Sequence, residues 1–223
     1  ASAVIPFGNE IELFGQKIVL QIADINIGFL YVFAVTSLGI YGILIAGWSS
    51  NNKFSLLGAL RSSSQMVSYE IGLGLSLIGL VLIFETFSLR QMVLQQEGLF
   101  FGFLPKWGVF MQPLGFMIFL ISVFAETNRT PFDLPEGESE IVAGYHIEYA
   151  SMKFAMFFMA EYANIVTASA LIATFFFGGW QVPYYNSGEL LMLVQNPIIV
   201  NVIQVAVFCL KTAFFLWLFV WVR

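Results

Sequence analysis

The sequence predicts an all-α membrane protein: a polytopic bundle of five transmembrane helices with an acidic loop on the cytoplasmic side. Hydrophobic residues make up 59% of the 223 positions and charged residues only 10%, whereas soluble domains have roughly 45–50% and about 25%. Five apolar runs are long enough to cross a hydrocarbon core of about 30 Å. Because these runs are continuously apolar and do not alternate with period two, they favour helices over a β-barrel.

The first three spans each carry a feature typical of membrane helices. The first lies near residues 25–48 and ends at Trp48, a residue type enriched at the membrane–water interface. The second, near residues 66–84, contains GLGLSLIG, whose small residues favour close helix packing. The third, near residues 107–125, begins with another interfacial residue, Trp107.

The last two spans follow the acidic loop, residues 126–149. Helical character returns near the end of this loop, and we expect it to run directly into the fourth span, near residues 154–177. That span ends in FFFGGW, which predicts more interfacial aromatic residues. The fifth span lies near residues 198–222 and contains Cys209, which we expect to pack as a small apolar side chain.

All five spans belong to a single membrane domain, residues 1–223. The chain opens with ASAVIPFG, without a Met, so we expect a fragment of a longer subunit. Basic residues in short loops are held on the cytoplasmic side. The side that contains the acidic loop has five of them, and the other side has three: Lys53, Arg61, Arg129, Lys153 and Arg223 against Lys17, Arg90 and Lys106. This distribution favours a cytoplasmic acidic loop.

The acidic loop, ETNRTPFDLPEGESEIVAGYHIEY, has one arginine and six carboxylates. The carboxylates are Glu126, Asp133, Glu136, Glu138, Glu140 and Glu148. Prolines, aromatic residues and aliphatic residues flank them, which predicts a segment folded against protein and only partly hydrated. Carboxylates that crowd together in a low dielectric raise one another's pKa, so we expect some of them to exchange protons near neutral pH.

Three ionisable residues lie within the predicted spans: Glu70, Glu161 and Lys211. A charge at the bilayer centre costs from about 2.5 kcal/mol to more than 10, so such residues normally face a bundle interior or a hydrated cavity. This placement is typical of proton or ion handling. A structural ion pair between Lys211 and Glu70 or Glu161 is the alternative interpretation.

Several kinds of chemistry lack a sequence signature. There is no phosphate-binding loop, no nucleophile motif and no cysteine cluster for haem or iron–sulfur groups. His146 is the single histidine, so no metal site and no catalytic residue is predicted. Fourteen acidic and nine basic residues give a net charge of -5, which does not indicate a nucleic-acid partner.

Four stretches resemble the family of membrane heel subunits, the H subunits, of respiratory NADH:quinone oxidoreductase, complex I. They are AGWSSNNKFSLLGALRSSSQMVSYEIGLGLSL (46–77), the acidic loop itself, MKFAMFFMAEYANI (152–165) and FFFGGW (175–180). The resemblance covers most of the chain in unbroken order. It implies a non-redox membrane subunit, five of eight expected spans, that forms part of the quinone chamber and joins the hydrophilic quinone-module subunits to the antiporter-like membrane subunits.

The resemblance also implies roles for particular residues. A proton relay would comprise Glu70, Glu126, Glu136, Glu138, Glu140, Glu148 and Glu161, supported by Arg129, Asp133, Tyr149 and Lys211. Arg129 would balance part of the acid by pairing with Glu126 or Asp133. No cofactor would be bound by this chain, and quinone would be the substrate of the complex. The expected location is the bacterial inner membrane, with the mitochondrial inner membrane as the alternative.

Two other functions stay open at this point. The equivalent membrane subunit of an energy-converting hydrogenase would couple without quinone, and the proteins that copurify would distinguish it. A stand-alone ion channel or transporter would conduct protons in liposomes without partners. No inverted pair of broken helices, which many transporters use, is visible in the sequence.

Overall fold

The structure, a computed structural model, describes residues 2–13, 16–100, 102–128, 132, 144–185, 187–194 and 196–222. Helices dominate it. In chain order they are α1 (Gly28–Ser49), α2 (Lys53–Phe84), α3 (Leu89–Gln95), α4 (Gly108–Met111), α5 (Pro113–Glu126), α6 (Met152–Phe176), α7 (Ser187–Val194) and α8 (Pro197–Trp221). Over these residues, α1, α2, α6 and α8 are long and apolar enough to cross a membrane. The predicted class, an all-α polytopic membrane bundle, is confirmed.

The second predicted span is the inner part of a longer helix. Asn52 caps the N-terminus of α2, where its side-chain oxygen accepts a hydrogen bond from the Phe54 backbone N–H at 3.0 Å. The polar residues that follow do not break the helix, which therefore begins at Lys53 rather than near Met66. Its 32 residues have a length of about 48 Å, more than a hydrocarbon core requires.

The third predicted span is divided into two helical pieces. Gln112 separates α4 from α5 and has a non-helical backbone with ψ 68°. Proline disfavours helical backbone at the residue before it, and Pro113 then serves as the first residue of α5. Helix α5 has 14 residues, or about 21 Å, so residues 107–125 are not one continuous spanning helix.

The fourth span also begins differently from the prediction. Residues 144–146 form one turn of 3-10 helix, but Ser151 has a φ of 56° in the left-handed region. This conformation stops the helical hydrogen-bond pattern, so the end of the acidic loop does not run directly into α6.

Two small antiparallel hairpins, which the sequence analysis did not predict, lie at the other end of the bundle. Strands β1 (Glu10–Leu13) and β2 (Gln16–Val19) form the first, and β3 (Leu99–Phe100) and β4 (Leu104–Pro105) form the second. The Glu10 carboxylate pairs with the Arg90 guanidinium, which joins the first hairpin to α3.

The core lies between the long helices. Helix α2 packs against both α1 and α5, while α6 packs mainly against α8. The largest fully buried side chains include Trp180, Phe175 and Phe176. The prediction that Phe175 to Trp180 would be interfacial is therefore wrong for these three residues, because the turn after α6 folds into the bundle. Trp48 is 77% exposed, as an interfacial residue would be.

The bundle has two distinct ends. The acidic-loop end comprises residues 49–53, 126–128 and 144–152. The opposite end comprises the hairpins, α3, α4 and the segment between α6 and α8 (residues 177–196). Hydrogen bonds join segments within each end: Asn52 to Glu148 at the acidic-loop end, and Gln96 to the turn at Gly178 at the opposite end. This grouping agrees with the predicted division of the loops between two sides.

Candidate functional site

A cavity of about 510 Å³ lies inside the bundle near the acidic-loop end. Its walls come from α1, α2, α6 and the C-terminal end of α5. The residues that give it polar character are Thr36, Ser37, Glu70, Glu126, Thr127, Asn128, Tyr145, Glu161, Asn164 and Thr167. We call it the acidic cavity, because three carboxylates from three different helices line it.

Glu70 enters the acidic cavity from α2, where it is partly buried. The Ser37 hydroxyl on α1 donates to the Glu70 carboxylate and is also 2.8 Å from the backbone oxygen of Phe33. A hydroxyl has one proton to donate. Ser37 can therefore serve an ionised Glu70 or, when Glu70 is protonated, turn back to its own helix.

Glu126 is the last residue of α5 and is also partly buried. It lies close enough to Glu70 for the two carboxyl groups to interact electrostatically. Because a charge on one affects the other, the pair binds and releases protons as a coupled unit.

Glu161 reaches the acidic cavity from α6, together with Asn164 and Thr167. A spacing of three residues places these side chains on one helix face. This spacing is a sequence signal by which Asn164 and Thr167 could have been found, although the sequence analysis singled out only Glu161. Ser37 had no comparable signal, because a serine within a helix commonly bonds to its own backbone.

The described part of the acidic loop is held against α2 at Phe132. The Gln65 amide donates to the backbone oxygens of Ala125 and Phe132, both at 2.9 Å. The rings of Tyr69 and Phe132 are 5.2 Å apart in an edge-to-face arrangement. At Phe132 the loop is thus folded against protein.

The end of the acidic loop is docked onto the turn between α1 and α2. The Ser55 hydroxyl donates to the Tyr145 backbone oxygen at 2.8 Å, and the Asn52 amide donates to the Glu148 carboxylate at 2.7 Å. The Tyr149 hydroxyl donates to the Ala46 backbone oxygen at 2.8 Å. We call residues 144–149 the docked segment.

The predicted site residues fall into three groups. Glu70, Glu126 and Glu161 line one cavity. Glu148, which is exposed, and Tyr149 belong to the docked segment and are not among the residues that line the cavity. The others lie outside the described residues: Arg129, Asp133, Glu136, Glu138 and Glu140. The predicted pairing of Arg129 also falls there.

Lys211 does not form an ion pair with Glu70 or Glu161, as one interpretation of the sequence suggested. Its ammonium donates to the backbone oxygens of Phe177, Gly179 and Gln181, at 2.7, 3.0 and 2.7 Å. Lysine has three N–H donors, and all three are used. A cation at this place is favourable because the last carbonyls of α6 are left without helical partners.

His146 lies in the docked segment and contacts aromatic rings. Its ring centroid is 5.2 Å from that of Tyr145 and 5.3 Å from that of Phe154. Burial lowers the pKa of His146 below its ordinary value of 6.5. Within the described part of the chain, no group of three or more His, Cys, Asp or Glu side chains is placed to hold a metal ion.

Comparison with known proteins gives a consistent family. A family model described as NADH dehydrogenase matches residues 1–223. The first of two H subunits of NADH-quinone oxidoreductase from Cytophaga hutchinsonii is 51% identical over 221 residues, which cover 99% of this chain and 61% of that protein. The H subunit of Flavobacterium johnsoniae is 50% identical over 224 residues, covering 100% of this chain and 61% of that protein.

A third relative, the second H subunit of NADH-quinone oxidoreductase from Koribacter versatilis, is 49% identical over 233 residues. The match covers 99% of this chain and 63% of that protein. The chain thus spans less than two thirds of the length of each of these relatives.

Proposed function

Because this chain belongs to the NADH dehydrogenase family, we propose that it is part of the membrane subunit of a proton-translocating NADH–quinone oxidoreductase. In this role it contributes to the quinone chamber and to an acidic relay that couples quinone reduction to proton pumping. Its partners are the hydrophilic quinone-module subunits and the antiporter-like membrane subunits. The chain itself holds no redox group, and its location is the bacterial inner membrane.

The observation that carries the proposal is the convergence of Glu70, Glu126 and Glu161 on one cavity. Ionisable groups inside a membrane bundle are costly and normally serve a pathway. Three such groups, contributed by α2, α5 and α6, can take up and exchange protons among themselves when the charge of their surroundings changes. This property is the one that a relay requires.

The walls of the acidic cavity support the quinone part of the proposal. On the α1 side, Gly39 and Gly42 face open space, where a Cβ atom would have no neighbour within 4 Å. Ile40 and Ile43 beside them, and Ala160 on α6, make the wall largely apolar. An apolar wall with room beside it suits an isoprenoid chain, and the carboxylates beyond suit the proton chemistry of a quinone head group.

Coupling would then proceed through the acidic loop. Reduction of quinone, at a site completed by neighbouring subunits, changes the charge in the chamber. The loop, held at Phe132 and at the docked segment, responds by a change in protonation. Glu126 and Glu70 interact electrostatically, so the change passes to Glu70 and then to Glu161 across the cavity. The antiporter-like subunits receive it and move protons across the membrane.

The alternatives are weaker in view of the relatives. Those described above are all named as H subunits of NADH-quinone oxidoreductase, and none of the three is named as part of a hydrogenase. This naming favours the quinone-reducing complex over a hydrogenase. A stand-alone transporter has no specific observation in its favour.

The test is to replace Glu70 or Glu126 with Gln in the assembled complex. Gln keeps the size and hydrogen bonding of the side chain but cannot carry the proton. We expect quinone reductase activity and proton pumping in proteoliposomes to fall together, by about tenfold or more, which corresponds to at least about 1.4 kcal/mol.

The matched control is Glu85→Gln, because Glu85 is exposed and follows the opposite end of α2. This variant should retain both activities. Normal coupled activity in both the Glu70→Gln and the Glu126→Gln variants would remove these carboxylates from the relay.

A further inference from the structure

The inner faces of four helices change from polar to apolar at the same depth, just beyond the acidic cavity. The polar residues lie toward the acidic-loop end, and apolar residues replace them toward the opposite end. These apolar residues are Phe33 and Phe29 on α1, Leu73, Leu77 and Leu80 on α2, Phe119 and Phe116 on α5, and Leu171, Phe175 and Phe176 on α6. The cavity therefore borders a dry layer.

Aromatic rings in mutual contact form the centre of this layer. Phe119, which lines the inner end of the cavity region, packs on Phe176 with ring centroids 5.3 Å apart. Phe176 also packs on Phe116 at 5.2 Å, and Phe29 packs on Phe175 at 6.0 Å. We call these five phenylalanines the aromatic barrier. Phe119, Phe175 and Phe176 are each at most 1% exposed.

The polar groups within the layer are already bonded to their own helices. Ser76, Ser169 and Thr174 are buried, and each hydroxyl donates to a backbone oxygen three or four residues earlier, at 2.7, 2.8 and 2.7 Å. Because each hydroxyl has a single proton, none of the three offers a free donor to a chain of water molecules.

A fixed positive charge stands on the far side of the aromatic barrier. Phe116 and Phe177 have ring centroids 5.6 Å apart, and the backbone oxygen of Phe177 accepts from Lys211. The ammonium of Lys211 also lies 4.8 Å from the ring centroid of Trp107, which lines a small cavity at the opposite end. A cation in this position repels hydronium and other cations that approach from the opposite end.

We propose that the aromatic barrier and Lys211 together close the acidic cavity toward the opposite end of the bundle. From Leu171 to Phe177 the dry section of α6 is about 9 Å long, at about 1.5 Å per residue. Protons that enter the cavity therefore leave sideways, toward a neighbouring subunit, or by the way they came, but not across this chain. This inference concerns the proton path alone, so it can fail while the proposed quinone coupling stands.

The first test measures proton leak. Phe119 and Phe176 are both changed to Ala in the assembled complex, which is reconstituted in vesicles without substrate. We expect an imposed pH gradient to decay severalfold faster than with the unchanged complex. The control is Phe214→Ala, because Phe214 is 54% exposed on the outer surface of α8. A leak no faster than that of this control would overturn the proposal.

The second test needs no change in the barrier, so it applies even if the double variant does not assemble. Cys209 is changed to Ala, and Asn164, in the acidic cavity, is changed to Cys. A membrane-impermeant maleimide should modify this cysteine only when it is added on the side of the acidic loop. Modification from the opposite side would show that the cavity is open across the chain and would contradict the barrier.

Discussion

At the scale of single residues, His146 is placed where protonation works against the fold. It is partly buried among the rings of Tyr145, Phe154 and Phe158, and burial lowers its pKa. The folded chain therefore binds a proton at this position less readily than the unfolded chain. The contribution of the neutral form to stability is complete above the unfolded pKa of 6.5 and is lost as the pH falls through the folded pKa.

This sign gives a prediction for His146→Phe, which keeps an aromatic ring and removes the titrating group. The thermal unfolding midpoint of the complex should fall as the pH is lowered from about 7.5 to about 5, and it should fall less in the variant. The measurement is a thermal scan of both proteins at each pH. An equal loss in the two proteins would show that His146 does not contribute.

Single residues also show how far the sequence predicts the site. Glu70 and Glu161 could be identified because an acid in an apolar helix is too costly to be incidental. Their polar neighbours could not, because Ser64 and Ser68 bond to their own helix whereas Ser37 reaches Glu70. Which choice a serine makes depends on what the next helix presents, and the sequence does not show that.

At the scale of elements, α2 approaches the docked segment closely at Gly58. A Cβ atom at this position would come within 2.9 Å of the Gly144 Cα and 3.0 Å of the Tyr145 backbone nitrogen. Both neighbours are backbone, so neither can move aside without moving the docked segment. Gly74, also on α2, has no atom within 4 Å of its would-be Cβ.

The two glycines therefore form a matched pair. Gly58→Ala should destabilise the complex by about 1–3 kcal/mol through overpacking. Gly74→Ala should be neutral or stabilising by up to about 1 kcal/mol, because alanine favours the helix. Thermal unfolding midpoints measure both changes. A stable Gly58→Ala variant with normal activity would mean that the docked segment yields easily.

The elements that the sequence did not predict have local causes. The apolar pattern of residues 107–125 is continuous, yet the structure divides it at Gln112, where Pro113 limits the backbone. The hairpins have strands of only two to four residues, too short for a clear alternating pattern. Trp180 became buried because the turn after α6 enters the bundle, an outcome that hydropathy does not encode.

At the scale of the whole molecule, the two ends of the bundle face opposite sides of the membrane. Glu148 is exposed at the acidic-loop end, and Tyr184 is 61% exposed at the opposite end. The excess of basic residues predicts that the acidic-loop end is cytoplasmic.

Single cysteines at these two positions test the orientation in a Cys209→Ala background. Glu148→Cys should react with an impermeant maleimide in inside-out vesicles, and Tyr184→Cys should react in right-side-out vesicles. Each variant serves as the control for the other. The reverse pattern would place the acidic loop outside the cell.

The length of α2 links the two scales. The helix continues without interruption from its cap at Asn52, which binds Glu148, to Glu70 and on to Phe84. Asn52 and Glu70 are thus about 27 Å apart along one axis, at about 1.5 Å per residue. An uninterrupted helix resists bending, so it behaves as a rod that passes through the membrane surface. A push on the rod outside the bilayer must tilt or turn the carboxylate inside it.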